Sequence, residues 1–181
     1  MKPLPLPSVE FVREALDYCP ETGIFIWKVR PRSHFKTDSG WKTFNSGDSG
    51  KTAGALHSQG YSSINLNGAH FLAHRLAWLH ATGEAPSKFI DHINGIKTDN
   101  RLCNLREATK TENALNSKIS CANTSGIKGV CLSGGSANPW KARIRVDGKE
   151  LHLGRFKTKE EAHEKVRLAR ELHFGEFANH G

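Results

Sequence analysis

The segment from Ile90 to Asn116, IDHINGIKTDNRLCNLREATKTENALN, constrains the fold of this chain more than any other stretch. A short apolar approach (Phe89, Ile90) ends in Asp91-His92, and a loop rich in Asn, Gly, Asp and Lys follows. Asn104-Leu105-Arg106 reads as a second short strand, and Thr109-Lys110-Thr111-Glu112 fits a capping box opening a helix that carries Asn113. Strand, loop, strand and helix within 27 residues are too few to bury a core of their own. They suffice to hold one cation.

A carboxylate and an amide oxygen are hard ligands, suited to Mg²⁺ or Mn²⁺ rather than to zinc. Two protein ligands leave most coordination positions to water and phosphate oxygens, the usual arrangement of Mg²⁺ at phosphate-cleaving sites. His92 follows Asp91 directly, so on a strand the two side chains point to opposite faces. A metal ligand and a general base could then flank one phosphate, and an imidazole of ordinary pKa suits proton removal from water near neutrality. The same residues also fit a plain surface loop, and Asn94-Gly95 a plain turn.

The segment resembles the motif of HNH endonucleases, in the form found in phage and intron-encoded homing enzymes. The matching residues are Asp91-His92, Asn94-Gly95, Lys97-Thr98-Asp99-Asn100, Asn104-Leu105-Arg106 and Glu112-Asn113. Upstream, His74-Arg75-Leu76-Ala77-Trp78 and Thr82-Gly83-Glu84-Ala85-Pro86 extend the likeness, which covers roughly residues 71–118. It implies a ββα-metal core in which Asp91 and Asn113 hold Mg²⁺ or Mn²⁺ and His92 is the general base. It gives Asn104 a supporting role, tying the loop and orienting His92. The third motif letter is Asn, a form many members share. Some relatives hold structural zinc with cysteine pairs. Here Cys19, Cys103, Cys121 and Cys131 form no C-x-x-C pair, so neither zinc nor a disulfide framework is expected.

Residues 123–181 read as a second unit. Lys128–Ser133, Trp140–Val146 and Glu150–Phe156 are strand-like, and Asp147-Gly148 is a hairpin signal. Trp140, Ala142, Ile144 and Val146 alternate with Lys141, Arg143 and Arg145, giving one apolar and one cationic face. Thr158-Lys159-Glu160-Glu161 caps a helix whose Ala162, Val166, Ala169 and Leu172 form an apolar stripe able to cover the apolar face. The excess of Lys and Arg over Asp and Glu is 2 in residues 1–70, 2 in 71–122 and 4 in 123–181, within a chain of net charge +8. A basic strand face can be solvated surface or a nucleic-acid platform. The unit resembles the DNA-binding domain of APETALA and ethylene-response factors through Gly126–Val130, Trp140–Ile144, Leu153-Gly154-Arg155-Phe156 and Thr158–Ala162. That resemblance implies a three-stranded sheet laid in the major groove, with Lys128, Lys141, Arg143, Arg145 and His152 towards DNA. Cys131 and Ser133 stand where arginine is frequent in the family.

Residues 1–70 are less readable. Val9–Tyr18 has helical spacing, Gly23–Val29 is strand-like, and residues 31–52 read as a long polar loop. Tyr61–Leu66, Asn67-Gly68 and Ala69–Leu72 signal a hairpin leading into a helix over Ala73–Ala81. His70 and His74 are expected in packing roles near the site, and Lys28, Arg30, Arg32, Lys36 and Lys42 fit either phosphate contacts or solvated charge. The expected fold is α+β: an HNH ββα core followed by a small three-stranded antiparallel sheet packed on one helix. Boundaries are expected at 1–70, 71–118, a linker at 119–127, and 128–181. No stretch approaches the ~20 apolar residues of a membrane span, no signal peptide is evident, and a cytoplasmic location follows, that of the host if phage-encoded. The expected partner is double-stranded DNA, cut with Mg²⁺ to 5′-phosphate and 3′-hydroxyl ends. One site per chain would most simply nick, and cutting both strands would need a homodimer or a second binding event. The rival expectation is a non-catalytic DNA-binding regulator with a degenerate nuclease module. The intact set of Asp91, His92, Asn104 and Asn113 argues against it.

Overall fold

The computed structural model describes residues 4–117, 119–120, 122–134 and 137–181; Cys121, one of the four cysteines considered above, lies outside them. The described cysteines, Cys19, Cys103 and Cys131, are free thiols. The chain folds as two compact units, Met1–Ala108 and Thr109–Gly181.

In the first unit, helix α1 (Val9–Ala15) starts at Ser8, whose hydroxyl accepts from Phe11 N. Its apolar spacing runs on to Tyr18, as the sequence suggested, but the helix stops three residues earlier. Leu16 turns extended, and Leu16–Cys19 becomes strand β1, paired antiparallel with β2 (Ile24–Trp27). The tertiary pairing overrides the local helical period. The expected loop over 31–52 also contains a helix, α2 (Asp38–Gly47), capped by Thr37. What orders it is Arg30. This side chain, only 4% exposed, lies 4.7–5.7 Å from the ring centres of Phe11, Trp27, Phe35 and Phe44 and donates to Asn67 Oδ1. Arg30 is therefore not a free phosphate contact; Arg32 pairs with Asp38 and Lys28 donates to Arg13 O.

Strands β3 (Ala55–Leu56), β4 (Ser62–Leu66) and β5 (Ala69–Leu72) form an antiparallel sheet. Its tight turn is Asn67-Gly68, with φ of 54° and 85°, the left-handed pair that the Asn-Gly signal calls for. Helix α3 (Ala73–Thr82) follows at once and ends at Gly83. Val12, Leu16, Ile64 and Leu76 have no exposed surface and form one core with Ile90 and Leu105. Each contributes roughly 1.5–3 kcal/mol on burial. The hairpin β6 (Phe89–His92) and β7 (Leu105–Ala108) is thus pinned to residues as far upstream as Val12 and Leu16. The amino-terminal segment shares its core, so packing does not divide at residue 70.

The second unit opens with α4 (Lys110–Leu115), in which the Thr109/Glu112 capping box is formed on both sides. Strands β8 (Val130–Leu132), β9 (Trp140–Val146) and β10 (Lys149–Phe156) make an antiparallel sheet in the order β10-β9-β8. Helix α5 (Lys159–Phe174) lies on it through Ala162 and Val166. The apolar stripe departs from expectation at its end: Leu172 is 82% exposed, while Arg170 is 5% exposed. Gly129 precedes β8 at φ +84°, where a Cβ would stand 2.5 Å from Arg143 O; only glycine fits so close to the neighbouring strand. Among the described residues no helix is long and apolar enough to cross a membrane.

Candidate functional site

Asp91 and His92 end β6, and the register with β7 settles which way they face. Asp91 stands opposite Arg106, so the two share a face of the hairpin, while His92 stands opposite Leu105 on the other. Both are buried, at 4% and 5% exposure. Arg106 donates from Nε (3.0 Å) and Nη2 (2.9 Å) to the same carboxylate oxygen, Asp91 Oδ2. This two-pronged pairing gives a buried carboxylate a charged partner and fixes its rotamer. Arg106 belongs to the matched motif but takes no role from sequence alone; it stands opposite Asp91 across the hairpin.

On the other face, the His92 ring meets His74 edge-on at 5.0 Å and lies 6.0 Å from Tyr61. Its Nε2 is 3.4 Å from Asn100 Oδ1. Burial pushes the His92 imidazole below its usual range, partly offset by that Asn100 bond and by the Asp91 carboxylate. His74 is held lower still, at about 3, by burial first and then by His92 and Arg75. Both rings are neutral near pH 7. Lys97 closes the edge of this box, its ammonium 4.6 Å from the Tyr61 ring centre and bonded to Gln59 O. His70, in contrast, is exposed and bonds Asn65 across the β4–β5 hairpin.

The loop between the strands is tied by Asn104, 6% exposed. Its Oδ1 accepts from Asn94 N (2.9 Å), its Nδ2 donates to Asp99 O (2.8 Å), and its carbonyl accepts from Ile93 N. The residues just after His92 are thus fastened to the start of β7. Asp99 is the second knot: Asn94 and the fork of Arg101 donate to its carboxylate and hold its pKa well below the usual range.

A third tie was invisible in the motif itself. Tyr18 donates to Asn100 O (2.7 Å), Leu102 N to Pro20 O (3.0 Å), and Gly23, at φ +72°, lies so near that a Cβ would stand 2.5 Å from Arg101 N. The Pro20–Gly23 turn is the floor of the loop. The signal was the Pro-Glu-Thr-Gly turn, but nothing local says which loop it meets.

Asn113 lies on α4, half-buried, with its N–H donated to Thr109 O. A carboxylate (Asp91) and an amide (Asn113) are the donor types a hard divalent cation takes.

In the second unit, Lys141, Arg143 and Arg145 project from the sheet face away from α5, opposite Arg155, His152 and Glu150 respectively. Glu150 binds Arg143 (2.7 Å) and reaches Lys141 (3.8 Å). His152 Nδ1 accepts from Gly154 N at a bulge in β10. Lys128 departs from expectation: its ammonium does not project from this face but donates to Leu115 O and Ser117 O, and burial pushes it down to about 8.

A family model described as HNH endonuclease matches residues 71–115, from β5 through α4. Over 106 residues the chain is 36% identical to Protein 3.8 of Escherichia phage T7, covering 58% of this chain and 86% of that protein. Over 97 residues it is 34% identical to an HNH endonuclease of Acanthamoeba polyphaga mimivirus described as uncharacterised, covering 53% of this chain and 49% of the other. Among solved structures, the HNH homing endonuclease I-HmuI aligns at a TM-score of 0.39 and 22% identity, over 83% of this chain and 76% of that one. The buried Asp91-His92 pair, the Asn104-tied loop and the Asn113 helix all fall within the matched segment, and the chain carries an HNH endonuclease domain.

Proposed function

We propose that the chain is a Mg²⁺-dependent DNA endonuclease of homing type, Mn²⁺ substituting, that leaves 5′-phosphate and 3′-hydroxyl ends. One observation carries this reading: Asp91 and His92 are adjacent, buried and turned to opposite faces of one strand end, each with a fixed partner. Asp91 and Asn113 are the residues that would hold the ion, which when bound would supply Lewis-acid stabilisation of the charge developing on the phosphate. Arg106 holds the Asp91 carboxylate in place for that task. His92 takes the proton of the attacking water. With Nε2–H donated to Asn100, the ring's basic lone pair is on Nδ1, and burial keeps it neutral and ready to accept. Asn104 fastens the backbone on either side of the loop so that His92 keeps its angle.

The sheet of the second unit, similar to APETALA-type domains, would bind the duplex through Lys141, Arg143, Arg145 and His152. Glu150 holds Arg143 and Lys141 until phosphates replace it. The test is supercoiled plasmid incubated with Mg²⁺, with Mn²⁺ and with EDTA, scoring nicked and linear product. Wild type should cut only with metal, and Asp91→Ala and His92→Ala should not cut while still binding DNA. Cleavage by both variants at the wild-type rate overturns the mechanism. Binding without cleavage by the wild type leaves a DNA-binding regulator instead.

A further inference from the structure

Helix α4 is six residues long, far below the ~12–15 at which an isolated helix becomes even marginal in water. Its amino end is secured by Thr109 and Glu112. Its carboxyl end exposes carbonyls with no partner inside the helix, and three side chains from three other places in the same unit converge on them. Lys128, next to β8, donates to Leu115 O at 2.9 Å and to Ser117 O. Arg170, on α5, donates to Leu115 O at 3.3 Å. Asn179, near the end of the chain, donates to Asn116 O (3.0 Å) and Oδ1 (2.7 Å).

Two of these are cations held in a costly place. Arg170 is 5% exposed, its Nε has no partner among the described residues, and it lies beside Lys128. Among the described residues neither forms an ion pair with a carboxylate. The Phe174 ring, 5.4 Å from the guanidinium, is apolar company. What these charges meet is the negative end of a helix. Lys128 is moreover the residue before Gly129, which is pressed against Arg143 O of β9. The cap is thereby built next to the strand that presents the cationic face.

We propose that Lys128 and Arg170, with Asn179, are positioning residues that set the pose of α4 and so of Asn113, and that they do not contact DNA. This rests on the reading of Asn113 as a metal ligand. A ligand on a six-residue helix is only as well placed as the helix, and its clamp is part of the unit that carries the DNA-binding sheet.

The test uses the full chain and three readouts: the Mg²⁺ concentration for half-maximal plasmid cleavage, DNA affinity with its salt slope in EDTA, and thermal unfolding. Lys128→Met should raise the Mg²⁺ requirement by about 10-fold, the size of loss usual for outer-shell supports of a metal site. DNA affinity should stay within about twofold and its salt slope unchanged, because no phosphate contact is lost. Lys128→Arg, which keeps a donor, should recover most of the Mg²⁺ dependence. Asn179→Ala removes a neutral donor without burying anything new and should move the Mg²⁺ requirement the same way. A Lys128→Met protein that loses DNA affinity with a slope about 0.9 shallower, and keeps its Mg²⁺ requirement, overturns the proposal in favour of a phosphate contact. So does an unchanged requirement in Asn179→Ala. Asn113→Ala is the control for the underlying reading: if it leaves the Mg²⁺ requirement unchanged, the ligand assignment fails and the proposal with it. If it raises the requirement while Lys128→Met and Asn179→Ala do not, the clamp alone fails.

Discussion

Acid should loosen the first unit through His74. This side chain is 5% exposed in the first turn of α3, its Nδ1 has no partner among the described residues, and burial pushes its pKa from 6.5 down to about 3. The folded state therefore keeps the ring neutral at pH values where the unfolded chain protonates it. Stability from the neutral ring is fully present above the unfolded pKa and is lost as pH falls from 6.5 towards 3. At 1.36 kcal/mol per unit, the loss between pH 7 and pH 5 is about 2 kcal/mol, with an upper bound on the order of 4–5 kcal/mol near pH 3. The assay is urea unfolding at pH 7 and pH 5 in EDTA, wild type against His74→Gln. The variant should start less stable, since an amide fills an aromatic contact poorly. It should nevertheless lose about 2 kcal/mol less on acidification, a difference of roughly 1 M in the shift of the midpoint. His92 is pushed the same way by burial, so some acid sensitivity remains in the variant, and only the difference belongs to His74. Equal pH dependence in the two proteins refutes the argument.

Other consequences are as direct. Asn104→Ala leaves Asn94 N and Asp99 O without their part-buried partner and should cost about 1–2 kcal/mol, read as a lower melting temperature, together with loss of cleavage. Gly129→Ala forces a left-handed backbone onto alanine and its Cβ against Arg143 O, so a loss of at least about 2 kcal/mol is expected in thermal melts. Arg143→Ala should make the salt dependence of DNA binding shallower by about 0.9, as measured by fluorescence anisotropy over a salt series. Leu172→Lys should change stability by less than about 0.5 kcal/mol, because Leu172 is solvent-exposed in spite of its place in the apolar pattern.

What could be read from sequence were features whose cause is local. Asn67-Gly68 and Asp147-Gly148 demand left-handed turns, and both hairpins form there. Thr109 and Thr158 cap helices with the glutamate three residues on, and both boxes close. Alternation along Trp140–Val146 correctly divides a buried from a cationic face. What escaped was set by distant partners. Leu16–Tyr18 kept a helical period but pairs with Phe25–Trp27 as strand. Polar residues 38–47 form a helix because Trp41 and Phe44 close on Arg30, a cation that composition alone marks as surface. Lys128 looks like a DNA-facing lysine until the helix end beside it is seen. In the site, residue types marked Asp91, His92 and Asn104, but Arg106, Asn100, Tyr18 and Gly23 act through contacts that no local pattern encodes.

The turn at Pro20–Gly23 sets a limit on how portable this motif is. The Asn100–Leu102 backbone rests on that turn through Tyr18, Pro20 and the bare Cα of Gly23. A transplant of residues 71–118 into a foreign scaffold would carry every recognisable letter and leave the underside of the loop in water. For protein engineers, the smallest transferable piece begins at the amino-terminal hairpin. A side chain at Gly23 would push against the Asn100–Arg101 backbone and so reach the loop of the site from outside the motif.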